Sequence, residues 1–365
     1  MSTAVQAQIV DVKVADVTLV TPTVRDPVKW PFAHTSFWNT PIGAGAVYVP
    51  ANLPAIPRAN IWAGMPQVDE ELIILKATGP VTEIRISTVG WTGGDRCVPT
   101  GGTLFWAPLP ADFLVPNTRN NNSAVFLATD GRTLIHTQPL TRCIAGAGGT
   151  SWATYATVDL YSDGRSGSHG GSRLSAIGGT IRIGELRPGG QPPRHALKVD
   201  VDARTVLYKC LVKTDCYRWP SYGADSYAVG AYGTLGTNAP AAMKMGSLLA
   251  IPASVDLTKI GLETKPGQMI AWTLQNYGAY IVDDSGGANF VINAEKGPDG
   301  SKRDEFKKDW GYDLQAVVRD NTPWVRDLQR LMPLLAVVDN NSELTPGGPG
   351  VRRQALAPAI APPIK

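Results

Sequence analysis

In the run DGRSGSHGGSRLSAIGGTIR, residues 163–182, six glycines interleave with serine, arginine and a single histidine. Glycine costs backbone entropy, and arginine and histidine are poorly buried without partners, so this backbone is expected to be shaped around something. The run offers His169 and Arg173. The segment RHALKVDV adds His195 and Lys198, and CYRWPSYGADSYAVGAYG adds Tyr217, Arg218, Trp219, Tyr222, Asp225, Tyr227 and Tyr232. If these segments adjoin as strands of one sheet, same-face positions such as Asp225 and Tyr227 look into one groove. The chemistry that such a groove suits is β-elimination at a uronic acid. His169 or His195 would take the C5 proton and Tyr222 or Tyr227 would protonate the leaving oxygen. Arg173 with Arg218 would hold the carboxylate in a two-pronged hydrogen bond, with Lys198, Asp225 and Trp219 completing the binding surface. A satisfied core His195 and tyrosines on a wet sheet face account for the same residues equally well.

Other chemistries find less support. Glycosidic hydrolysis needs two carboxyl groups, and Asp159, Asp163, Glu185, Asp225, Asp283 and Asp284 are candidates that no motif pairs. Glu185 reads better as an ion-pair partner of Arg182 or Arg187. The stretch HGGS at 169–172 is similar to an esterase oxyanion loop, but no G-x-S-x-G accompanies it. The stretch DLYSDG at 159–164 is like half a calcium loop. Its third position is Tyr161 and its twelfth Gly170, so it is no EF-hand, although a structural calcium ion in a loop is admitted. Histidines 34, 136, 169 and 195 lack metal-ligand spacing, so no metal ligand and no cofactor is assigned.

These groups must be positioned by β structure. Short β-branched runs alternate with Gly/Pro/Asn turns from about residue 41 to 255: Leu72 to Lys76, Thr82 to Thr88, Ala124 to Ala128, Thr133 to Thr137, Thr154 to Leu160, Gly179 to Glu185, His195 to Val201 and Thr205 to Lys209. Helix signals come late. Thr264 before Pro266, with Gly278 as a stop, predicts one helix. Ser301 opens a second to about Trp310, and Thr322 with Pro323 opens a third through about Leu334. Trp30, Phe32, Phe37 and Trp38 make an aromatic lead-in to the main domain. The expected organisation is a strand or attachment arm over 1–28, a main domain over 29–342 and a Pro/Gly-rich tail over 343–365.

Composition agrees: 43 % hydrophobic and 18 % charged residues, with 38 glycines and 29 prolines, suit turn-rich β structure. The net charge of +3 is small and its cations are scattered, so no nucleic-acid footprint is expected. No apolar run is long enough for a membrane span, and residues 1–20 lack the basic and apolar regions of a secretory signal. Four cysteines without C-x-x-C predict two disulfides, Cys97 with Cys143 and Cys210 with Cys216, and an oxidising setting. The export route stays open between a removed signal and release by another path such as lysis.

The stretches PFAHTSFWNTPIGAGAVYVPA, HGGSRLSAIGGTIRIGELRPG, CYRWPSYGADSYAVGAYG and GLETKPGQMIAWTLQNYGAYIVDD carry a resemblance. The chain resembles, over about residues 31–342, a family of secreted bacterial and phage-encoded proteins, most of them without an assigned activity. That resemblance implies an extracellular or virion setting and transfers no catalytic residue. The sequence therefore predicts a mainly β fold, a jelly-roll-type β-sandwich with a few short helices in the C-terminal third. It would act outside the cell on a polysaccharide, first as a lyase. The alternatives are a non-enzymatic glycan-binding or structural protein that self-associates through its N-terminal arm, and a glycoside hydrolase. Trp91, Trp106, Trp152 and Trp219 would stack on sugar rings in any of these.

Overall fold

Alternation along strands that run through the middle of the chain decides the architecture. The computed structural model describes residues 24–54, 67–236 and 238–362. Its large sheet contains β1 (Tyr48–Pro50), β2 (Gln67–Ile74), β3 (Ala124–Leu127), β4 (Thr133–Gln138), β5 (Val158–Asp159), β7 (Leu197–Val201), β8 (Leu248–Ala250), β9 (Ala279–Asp284), β10 (Phe290–Gly297) and β11 (Ala336–Val338). A separate short strand, β6 (Ser166–His169), lies over it. The order across the sheet is β5-β4-β3-β2-β10-β7-β9-β8-β11-β1. The mainly β class with short helices concentrated late stands as predicted. Pairing is mixed: β2 runs parallel to both β3 and β10, and β7 parallel to β9, while β7 and β10 are antiparallel.

A second, three-stranded sheet of Val81–Ile86, Thr103–Pro108 and Gly149–Ser151 packs on one end of the large one. Ile84 and Ala107 meet Leu72, Ile74 and Phe126 there, which gives that end a sandwich core. The same face of the large sheet is covered further along by the helices α1 (Lys265–Asn276), α2 (Lys302–Trp310) and α3 (Pro323–Leu331). Each starts at its predicted cap: Thr264 Oγ1 accepts from Gly267 N, Ser301 Oγ from Arg303 N, and Thr322 Oγ1 from Val325 N. The buried Asp327 of α3 accepts from Glu263 N and Thr264 N and so fixes the start of α1 against α3. Val199, Ile281 and Ile292 face Ile270, Phe306, Trp324 and Leu328 in one core.

The opposite face carries the aromatic lead-in and the glycine-rich run. Phe32, Phe37 and Trp38 pack with Leu174, Ile177, Tyr280 and Val282, and Trp38 and Tyr280 meet edge to face at 5.5 Å. Val24–Arg25 pairs in parallel with Ala359–Ile360 of the Pro/Gly-rich tail, and Arg352 Nη1 donates to Pro41 O at 3.1 Å, so that tail lies extended and tied to the main body. Residues 1–23 of the expected attachment arm lie outside the described residues.

Two predicted strands take other forms. Thr205 to Lys209 begins as a helical turn, Ala203–Val206, because the Asp202 side chain accepts from Arg204 N and caps it. Gly179 to Glu185 is a turn with one bridge, Ile181 to Ala294. Both disulfides form as predicted, Cys97–Cys143 and Cys210–Cys216. Among the described residues, no helix is long and apolar enough to cross a membrane.

Candidate functional site

Where an ordinary sheet of this size would bury only apolar side chains, the face under the glycine-rich run carries a row of charges. Alternation puts Asp69 and Glu71 of β2 on that face, and the strand register aligns Asn293 of β10 with Asp69. Lys198 and Asp200 of β7 point the same way, and Asp200 pairs in register with Asp283 of β9. Above them β6 ends in His169, and the chain turns back through Gly170–Arg173, closed by Arg173 N donating to His169 O at 3.1 Å.

The imidazole of His169 is fully buried. One ring nitrogen, Nδ1, donates to Glu71 Oε1, and the other, Nε2, donates to Asp200 Oδ1 at 3.2 Å. Lys198 Nζ donates to Glu71 Oε1 at 3.0 Å and to the carbonyls of Ser175 and Ala176. Burial alone would lower the His169 pKa, but Glu71 and then Asp200 outweigh both it and the repulsion from Lys198, and hold it up at about 10. Burial would raise the Glu71 carboxyl, but His169 and Lys198 together bring it below the usual range. Burial lowers the Lys198 ammonium despite the attraction of Glu71. Asn293 Nδ2 donates to Asp200 Oδ1 at 3.3 Å, while Asn293 Oδ1 and Glu71 Oε2 are buried without a hydrogen-bond partner.

A second layer of carboxyls lies toward solvent. Asn121 Nδ2 donates both to Asp69 Oδ2 at 3.2 Å and to Asp283 Oδ2 at 3.0 Å. Asp283 Oδ1 accepts from Gly171 N at 2.9 Å. Burial, then the carboxylates of Asp200 and Glu71, push Asp69 up to about 7. Burial and Asp225 raise Asp283 well above the carboxylate range, and burial raises Asp225 itself. Asp69, Asp200, Asp284, Arg119, Asn120 and Asn121 line an open cleft of about 280 Å³. Carboxyls outnumber cations here, and the raised values of Asp69 and Asp283 are the electrostatic result.

The structure brings seven of the sequence-predicted residues to this cluster and leaves the others elsewhere. His169, Lys198, Asp225, Tyr227, Tyr232, Asp283 and Asp284 gather. Tyr232 OH donates to Asp225 Oδ2 at 2.5 Å, and Tyr227 OH donates to Asp284 Oδ2 at 3.0 Å. Burial, then Asp225 and Asp284, push the Tyr227 phenol upward, away from the range of a ready proton donor. His195 lies apart, beside Trp38 and Arg182, with Nε2 donating to Glu185 Oε1 at 3.0 Å. Arg218 is engaged by Asp339 at 3.1 Å, Trp219 packs against Phe37, and Tyr222 lies under the Arg165 guanidinium at 4.0 Å. Arg173 sits exposed on the turn after His169, in a left-handed conformation with φ 59°. Residues 217–232 form turns and one short helix, Ala228–Ala231, so the expected shared strand face of Asp225 and Tyr227 does not arise. In the DLYSDG loop, Asp159 is taken up by Arg132 through both carboxylate oxygens.

Asp69, Glu71, Asp200, Asn121 and Asn293 were not singled out by the sequence. For Asp69, Glu71 and Asp200 the visible signal is charge set within otherwise apolar strands, the acidic run in QVDEELII and the alternation in LKVDV, while Asn121 and Asn293 carry none. His169 Nε2 and carboxylate oxygens of Asp69 and Asp200 all lie within 4.8 Å of one another, so this trio could hold a metal ion. The carboxylate of Glu71 behind Nδ1 is the usual support of a metal-binding histidine. No family model, curated protein or solved structure matches the chain. The cluster itself is therefore the guide to function.

Proposed function

We propose that the protein is an extracellular carbohydrate-active enzyme that hydrolyses glycosidic bonds in the Asp69–Asp200 cleft. The observation that carries this reading is Asp69: a half-buried carboxyl raised to about 7, with a carboxylate oxygen of Asp200 within 4.8 Å. A carboxyl protonated near neutrality beside a second carboxylate is the acid and nucleophile pair of a retaining glycosidase, whose carboxyls stand about 5 Å apart. Asp69 donates its proton to the glycosidic oxygen as the bond to the anomeric carbon breaks. Asp200, oriented by His169 and Asn293, attacks that carbon from the other face. Water, deprotonated by Asp69, then releases the sugar and restores both carboxyls.

The sequence alone favours β-elimination of an acidic polysaccharide. The acidic lining of the cleft supports hydrolysis over that chemistry, since a uronate would enter among Asp69, Asp200 and Asp284 with Arg119 as the one cation among the described lining residues. The disulfides support the extracellular setting. The test is one preparation assayed two ways: release of reducing ends from neutral polysaccharides, and ultraviolet absorbance of unsaturated uronate from alginate, pectin and glucuronan. Reducing ends that vanish in Asp69→Asn support hydrolysis. Unsaturated product from a uronate polymer overturns it in favour of a lyase, and binding without either product leaves a glycan-binding protein.

A second reading is favoured by the trio of Asp69, His169 and Asp200. A divalent cation there, rather than a proton, would offset the crowded carboxyls. Calcium takes oxygen ligands, and would use Asp69, Asp200 and the unpartnered Asn293 Oδ1, whereas zinc would use His169 Nε2. Activity that survives dialysis against a chelator supports the protonated Asp69. Activity that is lost and returns with one of these ions supports the cation.

A further inference from the structure

Trp91 and Trp152 are exposed over 41 % and 47 % of their surface, yet neither is loosely held. Their rings meet at 5.3 Å with planes 59° apart, so together they form an open aromatic corner. Trp91 Nε1 donates to Asn121 Oδ1 at 3.1 Å, and the amide nitrogen of that same Asn121 is the donor shared by Asp69 and Asp283. One side chain thus separates the indole from the acidic cleft. Behind Trp91 lies Arg96, 3 % exposed, which donates from Nε to Gly90 O at 2.6 Å and from Nη1 to Asn120 O at 2.8 Å. These bonds join the loop bearing Trp91 to the loop bearing Asn121. Gly90, at φ +51°, lies so close against Trp152 that a Cβ there would sit 2.9 Å from the indole. Thr150 Oγ1 donates to Arg96 O, and the Cys97–Cys143 bridge closes the same region.

We propose that Trp91 and Trp152 form a sugar-binding subsite, on which one ring of a neutral oligosaccharide stacks while the neighbouring glycosidic bond lies over Asp69. The choice of ligand rests on the hydrolase reading above. Large exposed apolar surface held rigid beside a polar cleft marks a ligand contact, and a pyranose presents the flat C–H face that an indole takes. The carboxyls of Asp69, Asp200 and Asp284 select a neutral chain over an anionic one. Trp106, exposed on the outer face of the small sheet, is the matching control, with no hydrogen bond tying it to the cleft.

The test is calorimetric titration of the Asp69→Asn protein, which retains ligand without turnover, with cellohexaose, xylohexaose, mannohexaose and hexamannuronate. A neutral hexasaccharide binds, Trp91→Ala with Trp152→Ala weakens its Kd by about tenfold or more, and Trp106→Ala leaves it unchanged. Equal affinity in the double variant overturns the subsite, as does failure of every neutral probe to bind. A dimer in sedimentation that dissociates in the double variant also overturns it, by making the corner a protein contact. Hydrolysis by the wild type with an unchanged KM in the double variant keeps the enzyme and removes the subsite. Binding at the tryptophans without wild-type turnover does the reverse.

Discussion

The carboxyl group of Asp283 occupies the space that a side chain on Gly170 would need: a Cβ at Gly170 would lie 1.9 Å from the Asp283 carboxyl carbon. Gly170 is also left-handed, with φ +46°. Gly170→Ala therefore adds backbone strain of about 1 kcal/mol to an overpacking cost of about 1–3 kcal/mol, and displaces Asp283 from Asn121. Gly131→Ala is the comparison, at φ +65° with nothing within 4 Å, and it loses only the backbone part. Urea denaturation of both variants checks the difference.

In the proposed hydrolysis Asp69 must be protonated to act as the acid, and its pKa of about 7 places the loss of activity on the alkaline side. The rate of hydrolysis falls as pH rises through about 7. Asp69→Asn lowers kcat by about 10²-fold or more below about pH 7 and removes that limb, so its deficit against wild type narrows as pH rises. A pH–rate profile whose alkaline limb is unchanged in residual Asp69→Asn activity would mean that another group titrates.

Stability is expected to fall from mildly acidic to alkaline pH, because the raised groups, His169 and Asp69 with Asp283, Asp225 and His195, act in that direction. Together they oppose the lowered Lys198, whose contribution rises with pH. His169 goes from its ordinary 6.5 in the unfolded chain to about 10 in the fold, so its contribution is complete below 6.5 and disappears as pH rises toward 10. Asp69 goes from 3.8 to about 7, so the folded state holds a proton that the unfolded chain has lost between those values. Glu71 has the opposite sign: its lowered pKa makes stability fall once pH drops below the usual carboxylate range. The urea midpoint is therefore higher near about pH 5.5 than near about pH 9, and Asp69→Asn flattens the part of the curve between about 4 and 7.

His195 is a structural group. Its pKa is raised because Glu185, with help from the Ala196 carbonyl, more than offsets burial. His195→Ala leaves a void beside Trp38 and removes the donor to Glu185, and costs about 2–3 kcal/mol of stability. It leaves kcat/KM within about twofold of wild type. A loss of activity as large as that of Asp69→Asn would return His195 to the catalytic machinery.

What could be read in the sequence was whatever is encoded locally. Thr264, Ser301 and Thr322 cap helices within a few residues of themselves, so their signals survive without a fold. The two disulfides were legible from spacing and the mainly β class from turn density. His169 was found because glycines surround it, and Gly170 and Gly171 are indeed where backbone approaches Asp283 and Asp225. Asp69, Asp200 and Asn121 were not legible. They meet through the register of β2 with β10 and of β10 with β7, and through a loop whose course no local pattern records. His195 and Arg218 fit the same chemistry by residue type, and only their partners Glu185 and Asp339 exclude them.

β2 is inserted between β3 and β10, strands far apart in the sequence, Ala124–Leu127 and Phe290–Gly297. As the chain leaves the ribosome, β2 and β3 can pair, but the edge that will meet β10 stays open until most of the protein has been made. Glu71 and Asp69 wait there for Lys198, His169, Asp200 and Asn293. β10 both supplies Asn293 and sets Asp69 beside Asp200, so a chain that ends before Phe290 cannot assemble the cluster as it stands in the fold.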